Sequence, residues 1–189
     1  MSAEKEQSTR KRWIKTEIDE ILPELPAPLI HVGPKHPSWM KRVKLENIIF
    51  ENYIKYLIAH NISPWINIIH SDDPADKGFV WEGSVWMPQN PRINFSLIIL
   101  VPSNYPIVPP RAFLEDTIME YVQKKIYVGG KLERHGKKYV MLCHDHLKEI
   151  ENIWKPTYTL THFIIHEVWY WWNAMVGEIE KVWNERHKF

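Results

Sequence analysis

The amino-acid sequence predicts an α+β domain: an N-terminal helix, an antiparallel meander of about four strands, and a long C-terminal helix. Three observations carry this. Apolar residues recur at steps of three and four before residue 60 and again after residue 157. From residue 64 the period changes to two. The loops between the alternating segments are short and carry Asp, Pro, Gly and Asn, which suits antiparallel neighbours. Helices segregated to the ends of a meander define the class.

Each element has its own signal. Residues 1–12 are charged and polar and read as disordered. Residues 13–22 place Trp13, Ile14, Ile18, Ile21 and Leu22 at helical spacing. Prolines 23, 26, 28, 34 and 37 then enforce an extended linker. Residues 1–37 are therefore read as an N-terminal extension and 38–189 as the domain. Ser38 is a candidate N-cap for a helix running to about His60. Its apolar stripe is Met40, Val43, Phe50, Ile54, Leu57 and Ile58. Lys41, Arg42 and Lys44 make its first two turns basic. Cations there oppose the helix dipole, so the charge can serve a partner; a solvated face explains it equally well.

The strands follow. "WINIIH" (65–70), "FVWEGSVWM" (79–87) and "INFSLIILV" (93–101) alternate, and "RAFL" (111–114) is a fourth candidate. "TIMEYVQKK" suits a short helix. Gly129-Gly130 and His135-Gly136 mark turns of a hairpin in "IYVGGKLERHGKKYVML". From 157 to about 186, Leu160, Ile164, Val168, Trp171, Met175, Ile179 and Val182 form one helical stripe. Trp169 and Trp172 fall off that stripe and are candidates for partner contact.

Composition sets bounds on function. A chain of 189 residues, 44% apolar and 13% aromatic, suits one domain with an appendage. Net charge is +1, so no overall field draws it to nucleic acid or a membrane surface. The N-terminus lacks the apolar core of a signal peptide, and the run "LIILV" is too short to span a bilayer. A soluble cytoplasmic protein is expected. Gly-x-Ser-x-Gly, Walker A and His-Glu-x-x-His are absent, and no cofactor is expected.

The chemistry concentrates in "KKYVMLCHDHLKEIENIWKP" (137–156), which holds the single cysteine, Cys143. One cysteine excludes an internal disulfide. A lone cysteine is most often a small buried apolar residue. A zinc site would draw on Cys143, His144 or His146, and His135, but no second cysteine completes it. His162 and His166 share a helix face at i, i+4, which a polar flank also explains. No metal is expected.

Two motifs tip the reading toward a nucleophile. Pro102, Tyr105, Pro106, Pro109 and Pro110 form a Pro-x-x-Tyr-Pro-x-x-Pro-Pro run between two strands. Cys143 follows a short apolar strand, and Trp154-Lys155-Pro156 follows it before a helix. In this order, over about 38–175, the chain resembles ubiquitin-conjugating enzymes. The resemblance implies their fold, with an active-site loop, and a thioester between Cys143 and the C-terminal carboxyl of a ubiquitin-like modifier. It also implies an activating enzyme facing Lys41, Arg42 and Lys44, and an acceptor amine or thiol. Tyr105, Pro106, Pro109, Pro110, Trp154 and Pro156 would be structural.

The departures from the family pattern matter too. His-Pro-Asn is missing; His135 stands where its Asn would fall, eight residues before Cys143. The stretch from Pro110 to Cys143 is about a dozen residues longer than usual, and the acidic loop after the post-cysteine helix is absent. These features look more like the divergent prokaryotic members. His135 and His146 are equal candidates as auxiliary catalytic residues. Asp145 can orient an imidazole or attract a lysine. The rival readings are an inactive variant that binds peptides or ubiquitin-like partners, and a structural subunit of another assembly.

Overall fold

The computed structural model describes residue 22 and residues 25–122, 130–142 and 154–187. A 3-10 turn at Ala27–Leu29 precedes helix α1, Trp39–Ala59. The strands are β1 Ile66–His70, β2 Val80–Met87, β3 Asn90–Leu100 and β4 Arg111–Glu115. A 3-10 turn at Asp116–Glu120 follows, then β5 Lys131–Arg134 and β6 Lys137–Met141. The terminal helix has three consecutive parts: α2 Leu160–Phe163, a π-helical stretch Ile164–Trp169, and α3 Tyr170–Arg186.

The strands form one six-stranded sheet in the order β1-β2-β3-β4-β6-β5, antiparallel throughout. Four strands follow the sequence reading. The other two are the hairpin signalled by His135-Gly136. Both of those residues have positive φ, 51° and 73°, as the two central positions of a type I′ turn require.

The main core lies between the inner face of the sheet and the helices. Trp81, Val85, Leu97, Leu114 and Val140 from the strands meet Val43, Phe50, Ile164, Trp171 and Ile179 from the helices. Full burial of such side chains is worth roughly 1.5–3 kcal/mol each.

Three expectations change. Met40 and Ile58 do not belong to the buried stripe of α1; they are 44% and 59% exposed. Each is one residue past a buried one, Trp39 and Leu57, hence about 100° round the helix from the centre of the stripe. Trp172 is buried edge-on against Phe95, and Trp169 packs on Trp65 at 4.9 Å. Trp169, half-buried, ends the π-helical stretch, and Trp172 lies just past it, where the helix register has shifted. The Pro-rich stretch is not a free linker where it is described: Leu25 and Val32 are buried in the main core.

Candidate active site

The Pro-rich run leaves β3 and leads into β4, and the described residues on either side of 143–153 are bonded to β4 and to this run. On one side, the Leu142 N–H donates to the Ala112 carbonyl of β4 at 2.8 Å, two residues past Pro110. On the other, Trp154 Nε1 donates to the Pro106 carbonyl at 2.7 Å. The Trp154 ring also contacts Tyr105 and Tyr158, with centroids 6.1 and 5.7 Å away. The Tyr105–Pro106 bond is cis, and Pro106, Pro109 and Pro110 are buried. Pro156 lies in a turn closed by the Tyr158 N–H on the Lys155 carbonyl. Trp154 and the Pro-rich run thus meet at the Pro106 carbonyl. Cys143, His144, Asp145 and His146 lie outside the described residues.

Behind the Pro-rich run sits a buried ionic knot. Arg42 is wholly buried, so it does not share the exposed basic face of Lys41 and Lys44. Its Nε donates to Glu46 at 3.1 Å. Nη1 donates to the carbonyls of Leu29, Ile30 and Val32. Nη2 donates to the Tyr105 hydroxyl and the Tyr158 carbonyl, both at 3.1 Å. The Tyr105 hydroxyl donates to Glu46 Oε1, and the Leu160 N–H donates to Glu46 Oε2, both at 2.7 Å.

One guanidinium and one carboxylate thus join the N-terminal segment, α1, the Pro-rich run and the start of the terminal helix. Burial pushes the Glu46 carboxyl above its ordinary range against the pull of Arg42, Tyr105 and Leu160. Burial, with the neighbouring carboxylate, pushes the Tyr105 phenol well up. Gly33 lies so close that a Cβ there would sit 2.0 Å from the Tyr105 carbonyl oxygen.

His135 is placed away from this region. It occupies the tip of the β5–β6 hairpin with its side chain 64% exposed, 3.4 Å from Glu82. From Lys137 to Leu142 the strand runs on the order of 17 Å at about 3.3 Å per residue. His135 lies beyond the far end of that run. The eight-residue offset that suggested an asparagine substitute is spent along one strand of a hairpin. His135 occupies a left-handed turn position, which His is among the residues to tolerate.

His162 and His166 both stack on Tyr158, and the Nδ1 of His162 accepts the Thr159 N–H in a capping box. Among the described residues no three His, Cys, Asp or Glu side chains gather as metal ligands would. No described helix is long and apolar enough to cross a membrane.

Sequence reasoning missed Glu46 and misplaced Arg42. The signal was present: both fall on the helical stripe of Trp39, Val43, Phe50 and Leu57, four residues apart.

A helix–meander–helix domain whose Trp154 is bonded to the Pro-rich turn before β4 fits the class: a ubiquitin-conjugating-like fold. The family model for ubiquitin-fold modifier-conjugating enzyme 1 matches residues 18–182. The chain belongs to that family of conjugating enzymes. Among curated proteins none matches.

Proposed function

We propose that the protein accepts a ubiquitin-fold modifier from an activating enzyme as a thioester on Cys143 and passes it to an amine or thiol acceptor. The Cys143 thiolate attacks the activated C-terminal carbonyl of the modifier and expels its leaving group. The acceptor then attacks the thioester and releases the thiolate. The observation that supports this reading is the bonding of Leu142 to β4 and of Trp154 to the Pro-rich run that leads into β4. Those two bonds hold the chain just before and just after residues 143–153, and acyl transfer needs such positioning.

Roles follow for the other residues. The activating enzyme docks on the exposed basic turn of α1, through Lys41 and Lys44; Arg42 is excluded by its burial. His146 is the auxiliary imidazole, with Asp145 orienting it, because His135 lies at the far end of its hairpin. The chemistry belongs in the cytoplasm. The affinity to divergent prokaryotic members rests on the missing His-Pro-Asn, and genomic neighbours encoding an adenylating enzyme would support it.

The test mixes the purified protein with activating enzyme, modifier and ATP. A thiol-sensitive adduct on a non-reducing gel is expected, converted by Cys143→Ser to a thiol-resistant ester or lost. Absence of any adduct in the wild type, with Cys143 inert to alkylation, refutes the carrier reading and leaves a binding module.

A further inference from the structure

The sheet has two apolar faces, and the second is closed by the hairpin. Val80, Ile98, Phe113 and Tyr139 point away from the helices, yet each is 7% exposed or less. Leu132 and Met141 of the hairpin pack on them. In sheet order β5 stands four strands from β2, about 19 Å in a flat sheet at ~4.8 Å per strand.

Yet Arg134 of β5 donates from Nε to Glu82 of β2 and from Nη1 and Nη2 to Asp76 just before it. Nη2 also reaches Ser71 Oγ. The sheet must therefore coil until its hairpin edge lies over its own outer face. Lys137 adds bonds to Ser96 and Glu115 beneath the hairpin.

β6 pairs with β4 only at Tyr139, Val140 and Met141, so the rest of the hairpin overhangs the sheet. A two-stranded ribbon is marginal alone in water. What fixes the overhang is the fork of Arg134 between two carboxylates, a geometry that lysine cannot reproduce. Across the turn, β6 ends at Met141, and Leu142, the residue before Cys143 in sequence, follows it.

We infer that Arg134 is a positioning residue for the transfer reaction: it clasps the β5–β6 hairpin over the outer face and thereby sets the end of β6 that presents the cysteine segment. This rests on the thioester reading above. The clasp also denies the apolar outer face to any partner while it is shut.

The experiment compares wild type with Arg134→Ala, Arg134→Lys and Asp76→Asn. Three readouts are taken: amide exchange by mass spectrometry, the rate of Cys143 alkylation by iodoacetamide, and single-turnover discharge of the modifier to free lysine. Arg134→Ala should speed exchange in residues 131–142 at least tenfold and leave α1 unchanged. It should slow discharge about tenfold, as a small misplacement does. Asp76→Asn should move both in the same direction by less, and Arg134→Lys should rescue only part.

Faster exchange with unchanged alkylation and discharge makes the clasp merely structural and overturns the inference. Unchanged exchange overturns the clasp itself. If the wild type never charges, the carrier reading fails on its own. The alkylation rate then still decides, with less than a twofold change counting against positioning. If Arg134→Ala does not fold, Asp76→Asn carries the test.

Discussion

Replacing Arg42 by Ala is expected to cost about 3–5 kcal/mol, the range for removing one partner of a buried ion pair. The structure sets the terms. Glu46 is 1% exposed and would keep the Tyr105 hydroxyl and the Leu160 N–H but lose its counter-charge. The carbonyls of Leu29, Ile30, Val32 and Tyr158 would lose a shared donor. Domains are stable by roughly 5–15 kcal/mol, so the variant should survive weakly or unfold.

Urea unfolding followed by tryptophan fluorescence measures the effect. With an m-value of about 2 kcal/mol/M the midpoint should fall by about 2 M. A companion double variant, Arg42→Met with Glu46→Leu, removes both charges and fills the space. It should lose far less than the sum of the two single variants.

The pH dependence gives a further check. The Glu46 carboxyl is already raised in the folded protein, so it binds more protons folded than unfolded and its cost grows as pH rises through about 4.5 upward. Without Arg42 it rises further. The deficit of Arg42→Ala should therefore shrink on acidification toward pH 4.5. A loss under about 1 kcal/mol, or strict additivity in the double variant, would refute the argument that Arg42 and Glu46 form one buried unit.

Other outcomes follow from the hairpin. His135→Asn should keep or raise stability by a few tenths of a kcal/mol, since Asn suits the left-handed turn position, and should leave modifier discharge within about twofold. A tenfold slower discharge would restore His135 to the chemistry. Asp76 is held below its ordinary 3.8 because the Arg134 and Ser71 hydrogen bonds outweigh burial; Glu115 is held below 4.5 because Ser96 and Lys137 do so. Depressed carboxyl values add stability above the unfolded pKa that is lost as pH falls. The melting temperature should thus drop as pH falls below about 4.5, and Asp76→Asn should flatten the drop; parallel curves would contradict this.

What was legible in the sequence was periodic or carried by turn chemistry. Val43, Phe50 and Leu57 of the α1 stripe, the alternation of β2 and β3, and the terminal stripe from Leu160 to Ile179 survive in the structure. His135-Gly136 gave the hairpin because few residues accept left-handed backbone. Long-range closure was not legible. Nothing local says that Arg134 meets Asp76, because the contact depends on how far four intervening strand pairings coil. Nor does a basic turn say which of its cations is buried. Lys41 and Lys44 face outward while Arg42, between them, points inward, and only the angular position of each along α1 separates them. The Tyr-Pro run and the Trp-Lys-Pro motif were legible as a pair, and their meeting at Pro106 is the geometry behind that pairing.

The Pro-rich stretch before α1 has a practical consequence. Its carbonyls at Leu29, Ile30 and Val32 are acceptors for a guanidinium that has no access to water. A chain trimmed to begin at Ser38, where sequence reading drew the boundary, would keep α1 to α3 and all six described strands. It would also leave the Arg42 charge beside an open wound in its own interior. Water would then reach that charge from the side on which Gly33 now rests against Tyr105.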